Sequence, residues 1–214
     1  MSTSRDQILN RLSTAHPVLG TTEPGEKYIP VSPFVDQSSQ GLLDRFVEQA
    51  KSLASMVYLP ASQEEAIQVI LDLLDGDHSV LAWDYEHIPL PGLAEAFASH
   101  DIQIAPQRDA SVRVGITGAD VALAATGSLV LMTGAGKPRL ASLLPPVHIV
   151  MIQQSQILMD LEAWVAVLRQ EGLDTFRKIA SAMIISGPSR TADIAMQLIL
   201  GMHGPGELHI LILR

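Results

Sequence analysis

The chain is expected to fold as an α/β protein: a three-layer, mostly parallel sheet flanked by helices, with a β-hairpin insertion. Three observations predict this. Short apolar runs alternate with segments whose apolar residues recur at helical spacing. The last run, LHILIL, has almost no polar alternation, as in a strand covered on both faces. Within DVALAATGSLVLMTGAG, two apolar runs meet tightly at Thr126-Gly127-Ser128, which marks the hairpin. The 214 residues, 47% hydrophobic and 17% charged, suffice for one sizeable core.

Each element has a local warrant. Ser4-x-x-Gln7 reads as a capping box opening a short helix with Ile8, Leu9 and Leu12 on one side. Between His16 and Gln40, Pro17, Pro24, Pro30, Pro33, Gly20 and Gly25 exclude a long helix or a central strand. Residues 1–40 are therefore assigned to an N-terminal helix and irregular arm, and 41–214 to a single α/β domain. Leu42, Leu43, Phe46, Val47, Ala50 and Leu53 form a helical stripe, and MVYLP is a strand ending at Pro60. Ser62-x-x-Glu65 is a second capping box, followed by Ile67, Ile70, Leu71 and Leu74 at helix spacing. SVLAW is a strand, GLAEAFASH a helix and IQIA a strand, with a further short helix near Val112. VHIVMI is a strand, and Ile157, Leu161, Trp164, Val165 and Leu168 mark a helix. AMIIS is a strand, and Thr191 to Leu200 a helix before the final strand.

Composition excludes several functions. The net charge of −9 argues against nucleic acid as a partner. No apolar run approaches the ~20 residues of a membrane span. The N-terminus lacks the apolar core of a secretory leader, so a cytoplasmic location is expected. Cysteine is absent, which removes thiol nucleophiles and iron–sulfur clusters held by this chain's own thiolates. The seven histidines form no metal signature, and no metal is assigned. His148 and His209 stand near the starts of strands and read as structural. His203, in a turn, keeps a functional role open.

Gly134-Ala135-Gly136-Lys137-Pro138 resembles a phosphate loop but fails it. Leu131 stands where the first glycine belongs, and Pro138 where Ser or Thr is required. Arg139 occupies the third glycine of a dinucleotide fingerprint. A turn is expected there, with Lys137 and Arg139 within reach of an anion. Asp84 follows the strand VLAW at a carboxyl end, where open α/β sheets gather ligands.

The stretch SGPSRTADI carries the sharpest site signal. Gly187-Pro188 turns the chain, Ser189 or Thr191 caps the expected helix, and Arg190 adds a planar fork suited to carboxylate or phosphate. An arginine opposes the dipole at a helix N-terminus, which favours an anion there. A capped junction without a ligand explains the same residues apart from Arg190.

VGITGADVALAATGSLVL, SLLPPVHIV, SGPSRTADI and GMHGPGELHILIL, in this order, resemble successive blocks of the LUD-domain family. The resemblance is dense over the C-terminal half. It implies a fold like the CoA-transferase and ribose-phosphate-isomerase superfamily. It also implies an accessory, non-redox role in oxidising L-lactate to pyruvate, beside iron–sulfur partner proteins. A small carboxylate or phosphate, or an organic cofactor of unknown identity, would then sit near Thr126, Gly127, Ser128, Gly187, Ser189, Arg190 and Thr191. One position departs: the family commonly has an acid before Thr-Gly, and here Ala125 takes its place. A methyl group is neither base nor nucleophile. The alternative is a stand-alone isomerase, acyl-transfer or cyclo-ligase enzyme acting on a phosphorylated or carboxylated metabolite, with Asp120 or Asp84 as its carboxylate.

Overall fold

The computed structural model describes residues 3–14, 36–172, 174–192 and 198–214. Most of the expected arm, residues 15–35, lies outside the described residues. The first helix, α1 (Ser4–Thr14), begins at Ser4, so its cap falls one residue earlier than expected. Thr3 and Asp6 form the reciprocal pair instead, Thr3 N–H donating to Asp6 Oδ2 at 2.9 Å and Asp6 N–H to Thr3 Oγ1 at 3.3 Å.

Six strands make an all-parallel sheet: β1 (Met56–Tyr58), β2 (Ser79–Ala82), β3 (Gln103–Ile104), β4 (Val114–Gly118), β7 (Val147–Gln153) and β12 (Glu207–Leu213). Their order is β1-β12-β7-β4-β2-β3. The final strand lies between β1 and β7, and Leu208, Ile210, Leu211 and Ile212 are buried, as its unbroken apolar run requires.

Helices α2 (Ser39–Ser52), α3 (Gln63–Leu74) and α4 (Leu93–Ser99) flank this sheet. Leu43, Phe46 and Ala50 of α2, Ala66, Ile70 and Leu74 of α3, and Leu93 and Phe97 of α4 enter one core with the strands. The Ser62 cap forms as expected, accepting from Glu65 N–H at 3.2 Å. Glu65 Oε2 reaches back to Ala61 N–H at 2.7 Å. No helix forms near Val112. Asp109 Oδ1 there takes Ser111 N–H at 3.0 Å, and this local turn competes with a helix.

The hairpin is β5 (Val121–Leu123) and β6 (Ser128–Thr133). It lies beside the parallel sheet, in a second sheet ordered β8-β5-β6-β9, with β8 (Ile157–Leu158) and β9 (Ser181–Ile185). Alternation along β6 explains the layering. Leu129 and Leu131 enter the main core, whereas Val130 joins Leu123, Trp164 and Leu168 in a smaller cluster beneath α5 (Leu161–Gln170). Ile157 therefore belongs to a strand, and the helix expected to include it starts after Asp160, which caps Ala163 N–H at 2.9 Å. A short helix, α6 (Asp174–Lys178), leads into β9.

The helix expected from Thr191 to Leu200 is not observed at either end. Strands β10 (Arg190–Ala192) and β11 (Leu198–Leu200) form an antiparallel ribbon, pairing Arg190 with Leu200 and Thr191 with Ile199. Residues 193–197 lie outside the described residues. The ribbon base is pinned by Gly201 N–H to Ser189 O at 2.9 Å and Ser189 N–H to Pro205 O at 2.8 Å. These bonds commit the flanking backbone to a ladder, which overrides the helical spacing of the apolar residues.

Candidate functional site

At the amino ends of β7 and β12 the chain leaves a cavity of about 220 Å³. Eleven of its thirteen lining residues come from three segments, 142–150, 186–194 and 201–213. Its polar wall holds the hydroxyls of Ser142, Ser186 and Ser189 and the imidazoles of His148 and His203. Leu143 and Ile184 supply apolar wall, and both also face solvent. Two turns shape it. Gly187 has φ 84°, and a Cβ there would lie 2.6 Å from Leu53 O, so only glycine lets the chain pass over the end of α2. Ser189 is fixed by its own backbone bonds to the 201–205 loop, and its Oγ accepts from His203 N–H at 3.4 Å.

His148 is buried, at 1% exposure, and Thr117 Oγ1 lies 2.9 Å from its Nε2. Nδ1 has no hydrogen-bond partner among the described residues and is not among the fully enclosed orphan atoms. Burial, with nearby His209 second, pushes the His148 imidazole down to about 3, so the ring is neutral near pH 7. A neutral ring bonded to one hydroxyl can donate or accept one further hydrogen bond, but adds no charge. His209 is held apart from the cavity by Tyr58 Oη at 3.0 Å and Glu207 Oε2 at 3.2 Å. Both histidines are structural, as expected, but one also lines the cavity.

A fourth segment, 114–131, completes the wall from behind. It supplies Thr117 to His148, and Ser128, whose Oγ lies 2.8 Å from Ser186 Oγ and accepts from Thr126 Oγ1 at 2.8 Å. The four sequence blocks thus meet around one cavity. The model of the LUD domain matches residues 43–213. The chain belongs to the LUD-domain family. Lactate utilization protein C of Shouchella clausii is 29% identical over 94% of this chain and 91% of its own length. The protein of the same name from Geobacillus sp. is 28% identical over 94% of this chain and 92% of its own. An uncharacterized protein of Neisseria meningitidis is 37% identical over a shorter stretch, 47% of this chain and 42% of its own. A crystal structure of a DUF162 family protein from Deinococcus radiodurans superposes with a TM-score of 0.59 at 18% identity, covering 84% of this chain and all of that one. That likeness supports the fold.

The expected site residues of this LUD-domain chain divide into three groups. Gly187 and Ser189 line the cavity, and Ser128 joins it through Ser186. Gly127 is buried with φ 64°, and its Cβ position is filled by backbone of Gln49 and Ala50, so it seats the hairpin on α2. Arg190 and Thr191 stand on a strand, not at a helix N-terminus, and neither lines the cavity. Arg190 instead donates through Nη2 to Leu53 O, at the carboxyl end of α2. A cation there complements the helix dipole, which removes the opposition that favoured an anion.

The carboxylate candidates lie elsewhere. Asp120 Oδ1 accepts from Lys137 Nζ at 2.6 Å and Oδ2 from Met132 N–H at 2.6 Å. Met132 is four residues along β6 from Ser128, roughly 13 Å at strand rise. Asp84 is exposed, beside His87 and Gly136, and its N–H donates to Gly136 O at 2.8 Å. Ala125, at the commonly acidic position, donates its N–H to Met159 O at 2.8 Å. Among the described residues, no cluster of His, Asp or Glu has the arrangement of a metal centre, and no helix is long and apolar enough to cross a membrane.

Proposed function

We propose that this chain serves L-lactate utilization as a non-redox accessory subunit that holds a small carboxylate in the cavity. One observation carries the reading: all four blocks shared with the family converge on it, three as lining and the fourth through Thr117 and Ser128. Two relatives bear the name lactate utilization protein C, which supplies the pathway. The absence of cysteine supports redox chemistry on partner proteins, with iron–sulfur centres the class that the family implies. A cytoplasmic location fits that role.

Hydroxyls and imidazoles are neutral donors, able to hold a carboxylate by hydrogen bonds without a guanidinium. The cavity lining includes no Asp or Glu, so the stand-alone enzyme reading finds no general base of that kind there. Cells lacking the chain are expected to lose L-lactate oxidation, and the affinity-tagged chain to recover iron–sulfur proteins from native extract. Undiminished lactate oxidation in the deleted strain contradicts the role. Recovery without any redox protein contradicts the partnership.

A further inference from the structure

We propose a second binding site, for a soluble phosphomonoester or diphosphate, in the hollow between the Gly134–Lys137 turn and the start of β9. This site is separate from the cavity and independent of its assignment. The hollow measures about 630 Å³, within the range of small-molecule sites. Three cations line it, Lys137, Arg139 and Lys178, and no carboxylate does. The chain has 23 Asp and Glu against 14 Lys and Arg, so this sign reversal runs against its composition.

The cations arrive from two separate stretches of backbone, 137–139 and 178, each held in place. The turn is closed by Lys137 N–H to Gly134 O at 3.1 Å and Gly134 N–H to Lys137 O at 3.4 Å. Arg139 opens the one-turn 3-10 helix that follows. Lys178 ends α6, and Ala180 N–H fastens the next residues to Thr133 O at 2.8 Å. Lys137 is oriented by Asp120 at 2.6 Å and by the Trp83 ring, 5.1 Å from Nζ to centroid. Arg139 and Lys178 make no ion pair or side-chain hydrogen bond among the described residues.

Like charges facing one hollow repel, and here the chain's own carboxylates leave two of them uncompensated. An anion from outside with several oxygens relieves this. A phosphoryl group offers the fork of Arg139 two acceptors and each ammonium a point contact. The failed phosphate-loop motif is consistent with this geometry: the side chains, not a glycine cradle at a helix N-terminus, would supply the contacts.

The test is titration calorimetry of the full chain with inorganic pyrophosphate at low salt. One saturable site is expected, weakened roughly tenfold or more in Arg139→Gln/Lys178→Gln, in line with loss of charge-assisted hydrogen bonds. Arg45→Gln/Lys51→Gln, which removes two cations of α2 away from the hollow, should leave the affinity within about twofold. Equal weakening in both double variants, or no saturable binding by wild type, overturns the proposal. Citrate binding as tightly as pyrophosphate overturns the phosphate assignment. Retention on phosphatidic acid vesicles without response to pyrophosphate overturns the soluble ligand. Arg139, Lys178 and Lys51 are exposed and Arg45 is half-buried, and matching unfolding midpoints confirm that the variants fold.

Discussion

His148 shows how one residue joins fold and site. Its position near a strand start marked it as structural, and its burial and bond to Thr117 agree. That it also lines a cavity was not legible, because the walls come from segments distant in sequence. Its neutrality has a consequence for stability. The folded pKa, about 3, lies below the 6.5 of a free imidazole, so the unfolded chain binds the extra proton between these values. Stability from this group is complete above pH 6.5 and falls as pH drops toward 3, by at most ~1.4 kcal/mol per pH unit. Urea denaturation of wild type and His148→Asn between pH 4 and 7 is expected to show a shallower slope in the variant. Parallel slopes contradict the buried neutral ring. Arg190 gives the opposite lesson. Its sequence context pointed to an anion, but the partner is the Leu53 carbonyl at the far end of another helix. Arg190→Ala is expected to cost about 0.5–1 kcal/mol of stability, read from denaturation, while leaving ligand affinity unchanged.

Element identity followed the local pattern where local pattern and packing agree. The α2 and α3 stripes, the hairpin turn and the doubly covered β12 were legible because each buries the face its periodicity marks. The 191–200 segment was not. Its apolar spacing suits a helix equally well, and long-range backbone bonds from Ser189 to Gly201 and Pro205 set the ribbon instead. The second sheet was likewise hidden, since β9 pairs with β6 across 48 to 56 residues of chain. The hairpin turn carries a prediction at this scale. Gly127→Val introduces a β-branched side chain at φ 64° and pushes it into the backbone of Ala50. A loss of at least ~2 kcal/mol is expected by chemical denaturation. An unchanged midpoint contradicts the packing of the hairpin on α2.

Across the whole molecule, three blocks between positions 142 and 213 line one cavity of about 220 Å³, and the 114–131 block backs it through Thr117 and Ser128. Sequence identified the blocks and the family, but only the parallel order β12-β7-β4 brings His148, Thr117 and the 201–205 loop together. The proposed function requires that cavity to be a binding site. Its most direct test is thermal unfolding of wild type, Ser189→Val and Arg190→Ala against L-lactate, pyruvate, sugar phosphates, folates, CoA esters, nicotinamides and flavins. A small carboxylate at 100 times its Kd should raise the wild-type midpoint by roughly 5–10 °C. Arg190→Ala should show the same rise from its own baseline, and Ser189→Val little or none. A rise that survives Ser189→Val and vanishes in Arg190→Ala, or silence across the panel, contradicts the cavity as the site.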